Sequence, residues 1–152
     1  ITKRVGMRII FVGIGVLMFI SSVVVGNRLT EKGPIDWEYY TPEVLQESLD
    51  EGDTVVLEFT AEWCLNCKLL ESTVLHSPRV VNAFESENVS PIKIDLTGNN
   101  VAGNALLDEV GGLRIPLLII LNPNGEEVFR GDFYTVDQVL NAISSSSSDN
   151  VD

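Results

Sequence analysis

The sequence predicts an α/β fold in which a central mixed sheet is flanked by helices, and three patterns support this prediction. Apolar runs of strand length alternate with helix-length segments in the order β-α-β-α-β-β-α. A Thr-Pro pair at 41–42 and a Ser-Pro pair at 77–78 each supply an N-cap followed by a proline in the first helical turn. The only two cysteines, Cys64 and Cys67, lie at a junction between strand and helix.

The first half of the predicted domain begins with a helix and a buried strand. The helix begins at Pro42, places apolar residues at helical spacing and ends near Gly52. A nearly continuous apolar run then predicts a buried strand at 54–59. The cysteines and a helix-like run follow, and a further helix begins at Pro78 behind the Ser77 cap.

The second half contains strands that are recognised by alternation and by their turns. Its predicted elements are a strand at 91–96, a turn-rich stretch at 97–104, a short helix at 105–110, a strand at 116–121, a hairpin turn at 122–125, a strand at 127–130 and an amphipathic helix at 135–143. These elements define a domain at 41–143, which a linker at 27–40 precedes. The Ser-rich segment 144–152 is low in complexity and is predicted to be a disordered tail.

An uncharged, mostly apolar run of 18 residues lies at 9–26, before the domain. About 20 helical residues cross a bilayer, so this run predicts a transmembrane helix. It has no polar face, which argues against a buried helix of the domain, while a cleavable signal peptide is the alternative. The basic flank at 1–8 favours a cytoplasmic N-terminal side and an outward-facing C-terminal domain.

Charge is distributed unevenly along the chain. From Pro34 onward there are 5 basic and 21 acidic residues, a net charge of 5 − 21 = −16. Such a surface repels phosphate backbones, so the composition disfavours nucleic-acid binding. The acidity otherwise favours solubility and indicates no particular partner.

The spacing of Cys64 and Cys67 indicates a dithiol/disulfide redox site. A disulfide between residues this close closes a tiny loop, so stapling the fold is a poor purpose for the pair. A zinc site needs four ligands, and the only histidine, His76, comes without a second ligand pair. We therefore expect no metal and no cofactor other than a redox-active disulfide. The remaining alternative, two buried apolar cysteines, is disfavoured by their spacing and by the preceding Trp63.

The positions of the two cysteines suggest different roles. Cys64 is expected at a helix N-terminus, where free N–H groups and the helix dipole stabilise a thiolate, so it is the expected nucleophile. Cys67, one turn inside the helix, is the expected resolving thiol. Glu58 interrupts an apolar strand and is expected beneath the pair, where burial raises its pKa and lets it exchange a proton with Cys67. Glu71, four residues after Cys67, is either a second tuning acid or a solvated helix residue. Negative charge near the thiols disfavours the thiolate, so a reductant is predicted.

One segment is similar to a known family. The run Phe59-Thr-Ala-Glu-Trp-Cys-Leu-Asn-Cys-Lys68 resembles the F-T-A-[DE]-W-C-x-x-C-K pattern in the C-terminal domain of the DsbD-family thiol:disulfide interchange proteins. Shorter segments at 40–43, 95–97 and 112–117 fit the same pattern. The chain from about Trp37 to Ile143 thus resembles a thioredoxin-fold domain. In that family such a domain follows a bundle of membrane helices, of which 9–26 is the expected last member.

The resemblance also implies a substrate groove. Pro116 resembles the cis-proline that faces the cysteine pair in this fold, and the backbone of Ile115 is expected to bind an extended substrate segment. Trp63 and Leu65 are expected to border the groove. The pair Leu65-Asn66 lacks the proline found between the cysteines of many thioredoxin-like domains, which agrees with the DsbD type.

Together these expectations describe a membrane-anchored thiol:disulfide reductase module in the bacterial inner membrane, with a periplasmic domain. Its expected electron donor is a membrane-embedded dithiol, in an upstream part of the same protein. Its expected acceptor is a periplasmic protein or domain that contains a disulfide. The alternatives are a free-standing anchored thioredoxin-like protein for cytochrome c maturation and a non-catalytic thioredoxin-fold binding module. An equivalent organelle membrane, such as the thylakoid, is a further possibility.

Overall fold

The computed structural model describes residues 33–86 and 88–148, together with Val16. Except for Val16, the predicted membrane helix at 9–26 lies outside these residues. Within the described part of the chain, every helix is too short or too polar to cross a bilayer.

The described domain contains five strands, five α-helices and one π-helical turn. The strands are β1 (Glu38–Tyr39), β2 (Thr54–Thr60), β3 (Val89–Asp95), β4 (Leu117–Leu121) and β5 (Glu127–Gly131). The helices are α1 (Pro42–Glu51), α2 (Leu65–Leu70), α3 (Pro78–Phe84), α4 (Val101–Glu109) and α5 (Val136–Ser148), and the π-helical turn Glu71–Leu75 continues α2.

The strands form one mixed sheet in the order β1-β3-β2-β4-β5. Strand β3 runs parallel to β1 and β2, whereas β4 runs antiparallel to β2 and β5. The central strand β2 is buried along its whole length. This arrangement confirms the predicted mixed sheet and places the end of β2 at the start of the segment that contains the cysteines.

The two faces of the sheet are covered by different helices. Side chains alternate along a strand, so Val55, Leu57 and Phe59 point to one face of β2 and Val56 and Glu58 to the other. The first three pack with apolar residues of α1 and α4. Val56 packs with apolar residues of α2, the π-helical turn, α3 and α5. Glu58 therefore occupies a position that an apolar side chain would normally fill.

The predicted helix caps at the start of α1 and α3 are present. The Thr41 hydroxyl accepts a hydrogen bond from Val44 N at 3.2 Å, and Ser77 does the same for Val80 N at 3.5 Å. Gly52 ends α1 with φ of 80°, a left-handed conformation that glycine adopts without strain. Both Pro-containing signals in the sequence thus mark true helix starts.

Helix α4 begins earlier than the sequence predicts, at Val101 and not at Ala105. The reason is a side-chain cap, because Asn100 Oδ1 accepts a hydrogen bond from Gly103 N at 2.9 Å. The amide nitrogen of the same side chain donates to the Asp95 carbonyl at 2.7 Å and closes the loop after β3. The second half of the stretch predicted to be turn-rich, residues 101–104, is therefore helical.

The predicted linker at 27–40 is wrong for its last residues, because the domain begins at about Pro34. Ile35 is buried in the core, and the two residues of β1 pair with β3. The Trp37 ring packs edge-on against Phe84, with ring centroids 5.8 Å apart. This segment is ordered by strand pairing and aromatic packing.

The predicted disordered tail at 144–152 is also wrong where the structure describes it. Helix α5 continues to Ser148, and Ser146 is fully buried. The Ser146 and Thr54 hydroxyl oxygens are 2.8 Å apart and form a buried hydrogen bond between α5 and β2. Low complexity therefore did not prevent folding here, because one serine finds a buried polar partner. Residues 149–152 lie outside the described part.

We expect Ser146→Ala to lower the free energy of unfolding by about 1–3 kcal/mol, because it leaves the buried Thr54 hydroxyl without its partner. Urea denaturation measures this change. Ser145→Ala is the matched control, since this side chain is exposed and bonds to the Ala142 carbonyl of its own helix. Its effect should stay within about 0.5 kcal/mol. Equal values for the two variants would contradict a packed end of α5.

Candidate functional site

The cysteine pair lies where β2 leads into α2. Cys64 is the N-cap of α2 and Cys67 lies one turn inside, and the two form a disulfide with Cα atoms 5.3 Å apart. The Cys67 N–H donates to Cys64 Sγ at 3.3 Å. Cys64 is 7% exposed and Cys67 is 1% exposed. Cys64 is thus the more exposed of the two cysteines.

Two hydrogen bonds hold the loop between β2 and Cys64. Cys64 N donates to the Ala61 carbonyl at 3.0 Å, which closes a tight turn. Glu62 N donates to Thr97 Oγ1 at 2.8 Å, and Thr97 N in turn bonds to Asp95 Oδ1 at 2.9 Å. The 95–97 segment, singled out in the sequence only by resemblance, therefore anchors the loop before the nucleophile.

The expected groove residues occupy different parts of the surface. The Ile115–Pro116 peptide bond is cis, as the resemblance implies. Trp63 and Ile115 line one cleft of about 510 Å³, together with residues of α4 and the loop before it. Leu65 is 83% exposed and is not among the residues lining this cleft. The structure thus brings Trp63 and Ile115 together and leaves Leu65 on the open surface of α2.

Exposed apolar side chains are frequent in the segments around the disulfide. Trp63, Leu65, Leu69, Leu113 and Phe133 are between 57% and 97% exposed. Leu69 and Phe133 line one further groove, between α2 and the start of α5. Exposed apolar side chains that line one groove, as Leu69 and Phe133 do, are typical of a protein-binding region. Nothing in the sequence singled out Leu69, Leu113 and Phe133, because a hydrophobic pattern does not show whether an apolar side chain is exposed or buried.

An ion pair links the loop that contains the cis-proline to the end of β5. Arg114 donates to Asp132 Oδ2 from Nε at 3.1 Å and from Nη2 at 2.7 Å. Both side chains are at least half exposed, so the pair adds little to stability. Its geometric effect is to join the residue before Ile115 to the segment that presents Phe133.

The two candidate acids are both buried, with Glu58 2% exposed and Glu71 6% exposed. The alternative of a solvated Glu71 is therefore wrong. They meet at Lys93, which is the direct neighbour of Glu58 in the parallel register of β2 and β3. Lys93 Nζ lies 3.4 Å from Glu58 Oε2 and donates a hydrogen bond to Glu71 Oε1. Lys93 was missed in the sequence, where its only signal is a cation between two isoleucines of a predicted strand.

The two acids are in different electrostatic environments. Burial raises the pKa of Glu58 to about 7, and the nearby Glu71 charge adds to this although Lys93 opposes it. Burial also opposes ionisation of Glu71, but the hydrogen bond and charge of Lys93, with those of Lys68, hold its pKa below the usual value. Burial and both acids raise the pKa of the Tyr134 hydroxyl. Glu58 is thus the acid that can change its protonation state near neutral pH.

The relation of Glu58 to the sulfur atoms is indirect. Its side chain points to the face that α2 and the π-helical turn cover, whereas Cys64 and Cys67 pack with the cluster on the other face. Within the described residues, neither acid hydrogen-bonds to a sulfur atom, and Glu58 Oε2 has no hydrogen-bond partner. The hydroxyl of Thr60, two residues nearer the pair on the same face, is also buried and unpaired there.

These groups allow a defined chemistry. A disulfide takes up two electrons and two protons to become a dithiol, and a buried acid with a pKa near neutrality can exchange one proton. In the described ranges, no group of three or more His, Cys, Asp or Glu side chains is placed to bind a metal ion.

Comparison with known sequences gives a consistent result. The family model of thioredoxin-like proteins matches residues 36–123. The thiol:disulfide interchange protein DsbD of Pseudomonas fluorescens is 33% identical over 91 residues, which cover 57% of this chain and 15% of that protein. DsbD of Campylobacter jejuni is 26% identical over 138 residues, which cover 88% of this chain and 24% of that protein. The chain thus spans less than a quarter of the length of either relative.

Solved structures agree with the sequence comparison. The C-terminal domain of Neisseria meningitidis DsbD in the reduced form is 26% identical, with a TM-score of 0.57, and the match covers 72% of this chain and 99% of that one. A thioredoxin from Thermus thermophilus is 21% identical with a TM-score of 0.58, over 77% of this chain and 92% of that one, and shows a shared fold. The matched region 36–123 includes both cysteines and the cis-proline, and the chain belongs to the thioredoxin-like family.

Proposed function

We propose that the domain is a protein-disulfide reductase module that exchanges electrons with partner proteins through Cys64 and Cys67. The main support is the geometry of the pair, with the more exposed cysteine at the N-cap of α2 and the fully buried one a turn later. The similarity to proteins named for thiol:disulfide interchange supports the same activity.

The exchange requires both sulfurs in sequence. In the reduced form, the Cys64 thiolate attacks one sulfur of a partner disulfide, and the other partner sulfur leaves and takes up a proton. Cys67 then loses its proton, attacks Cys64 Sγ and releases the second partner sulfur as a thiol. Counted from the two thiols, two electrons and two protons have then moved to the partner, one of these protons having left Cys64 when its thiolate formed, and the Cys64–Cys67 disulfide has formed again. A donor dithiol reverses these steps and is itself oxidised to a disulfide.

The acids set the direction of this exchange. Glu58 is the proposed acceptor of the Cys67 proton by an indirect path, since the two groups share no hydrogen bond and a pKa of about 7 lets Glu58 hold or release a proton near neutral pH. Glu71 is the proposed second tuning acid. Negative charge on the two acids disfavours a thiolate, and strong oxidants of this fold are oxidising because their reduced form is stabilised. The module therefore acts as a reductant in this proposal.

The partner segment binds across the surface beside the disulfide. The backbone of Ile115, next to Pro116, offers an N–H and a C=O to an extended chain, in the manner of an added strand. Trp63 covers one side through the cleft that it shares with Ile115, and the exposed Leu65 contacts the partner on the other side. Apolar contacts of this kind position the partner disulfide opposite Cys64.

The cellular setting is part of the proposal. The apolar run at 9–26 anchors the domain in the bacterial inner membrane, and the domain faces the periplasm. The donor is a membrane-embedded dithiol in an upstream part of the protein, and the acceptor is a periplasmic protein or domain that contains a disulfide. The matched regions cover only 15% and 24% of the two DsbD relatives, and this supports a donor in a part of the protein outside this chain.

We expect Cys64→Ser to abolish reduction of insulin disulfides, because the attacking thiolate is lost. The assay follows insulin precipitation with dithiothreitol as the electron source. Cys67→Ser is the informative companion, since it keeps the nucleophile and should accumulate a mixed disulfide that non-reducing gels detect. Insulin reduction that survives Cys64→Ser would exclude the proposed activity and favour a non-catalytic binding module.

We expect Glu58→Gln to remove a pH dependence of stability. The folded-state pKa of about 7 lies above the usual 4.5, so the folded protein binds more protons between these values. Wild-type stability should therefore fall, relative to the variant, as pH rises from about 4.5 through about 7, by an amount on the order of 3 kcal/mol. Urea denaturation of both proteins across this range measures the difference.

The control for this measurement is Glu85→Gln, which alters an exposed acid on the same domain. It serves as the baseline for the pH series, because its carboxyl is exposed on the surface of the domain. A Glu58→Gln difference that stays constant across the range would rule out the proton-exchange role of Glu58.

A further inference from the structure

Two adjoining clefts beside the cis peptide bond share the side chain of Arg114. The first is the cleft of about 510 Å³ that Trp63 and Ile115 line. The second, of about 390 Å³, lies between the loop after α4 and the end of β5. Arg114 lines both clefts, and its side chain is 77% exposed. An extended chain that binds at Ile115 therefore passes close to this guanidinium.

Positive charge predominates in these two clefts, although the domain as a whole is acidic. The residues from Pro34 onward have a net charge of −16. Of the described residues that line the first cleft, Arg114 is the only one with a charge. The second cleft is lined by Arg114, Arg130 and a single acid, Asp132. The surface next to the proposed strand-pairing site thus differs in charge from the rest of the domain.

The two arginines differ in the hydrogen bonds that they already make. A guanidinium has five N–H donors in a planar fork. Arg114 donates to Asp132 Oδ2 from Nε at 3.1 Å and from Nη2 at 2.7 Å, and within the described residues its Nη1 has no acceptor. Arg130 donates to both carboxylate oxygens of Glu127 and to the Val110 carbonyl. Arg114 is therefore the arginine with exposed donors available to a further carboxylate.

Asp132 competes with any such carboxylate for the same guanidinium. The Arg114–Asp132 pair is at least half exposed on both sides, and exposed ion pairs add little to stability. The pair can therefore open or share its cation at a small cost in free energy. Removal of the Asp132 charge should then strengthen the binding of a carboxylate, although the domain loses an ion pair. General damage to the fold would have the opposite effect on binding.

We propose that Arg114 is a specificity-determining residue that binds a carboxylate of the partner segment close to its reactive cysteine. The partner that it favours is an extended segment that contains a disulfide and has Asp or Glu beside the cysteine. Arginine suits this role, because its planar fork meets a carboxylate with two parallel hydrogen bonds. Leu113, directly before it and 97% exposed, offers an apolar contact on the same loop. The inference rests on the proposed reductase function and deepens it by naming a preference for the partner sequence.

The test is a binding titration without thiol exchange. The oxidised full chain, in neutral detergent, is titrated with short peptides in which serine replaces the cysteine and both flanking residues are glutamate, glutamine or lysine. NMR follows the Ile115 amide in every variant and the Nε–H of Arg114 in the wild type. A salt concentration of about 0.15 M screens charges more than about 8 Å apart, so direct contacts dominate. The glutamate peptide should shift the Arg114 signal and bind Arg114→Gln about two- to fivefold more weakly than wild type, whereas the glutamine peptide should bind both alike.

Further variants separate a carboxylate site from the effect of net charge. Asp132→Asn should bind the glutamate peptide about two- to fivefold more tightly than wild type, because the competing carboxylate is gone. Arg114→Lys keeps the charge without the planar fork and should retain part of the affinity. Arg79→Gln is the matched control, since it also removes one positive charge from an exposed ion pair, with Asp137 at 2.9 Å, but lies outside both clefts. Its affinity for the glutamate peptide should equal that of the wild type.

An Arg114 signal that the glutamate peptide does not move, or equal losses of affinity in Arg114→Gln and Arg79→Gln, would overturn the proposal. A lysine peptide that binds more tightly than the glutamate peptide and is weakened by Asp132→Asn would overturn it as well, because the site would then belong to Asp132. Insulin reduction is measured separately. A glutamate preference in a chain that does not reduce insulin would retain the Arg114 site and reject the reductase, and reduction without this preference would do the reverse.

Discussion

A carboxyl group on the central strand of a sheet has lost nearly all its water, and it must be given a counter-charge or a proton. Glu58 is in this position, in a strand that is buried along its whole length. The surrounding architecture follows from this constraint. Strand β3 places an ammonium beside it in register, and Trp37 covers that ammonium from the side of β1. The order of β1, β3 and β2 in the sheet thus places both the counter-charge of Glu58 and the ring that covers this counter-charge.

The irregular turn after α2 belongs to the same charged group, because it contains Glu71. The α-helix ends at Leu70 and continues as a π-helical turn, whose first residue is Glu71. A π-helical turn changes the direction in which side chains leave a helix, and such turns are frequent at functional sites. Here it accompanies a buried Glu71 above the sheet, while the preceding α-helical turn holds the cysteine pair. One short segment therefore contains both cysteines and Glu71, one of the two buried acids.

Sequence reasoning succeeded where the signal is local. The Thr41 and Ser77 caps, the continuous apolar run of β2 and the spacing of Cys64 and Cys67 each define their element without reference to the rest of the chain. It failed where the decisive partner is distant. Lys93 lies next to Glu58 only through the register of two strands, which no local pattern encodes. Ser146 is buried opposite Thr54, a hydrogen-bonding partner that lies 92 positions away along the chain.

The strand β1 has a consequence for the behaviour of the domain in a crowded compartment. A sheet whose last strand is long and flat offers a row of free backbone groups to other chains, which can lead to aggregation. Here β1 covers part of the outer side of β3 with only two residues, and the opposite margin, β5, bears the charged Glu127 and Arg130. Neither margin is a good template for a foreign strand. For a domain whose proposed partners are other proteins, margins of this kind lower the tendency to polymerise with them through strand pairing.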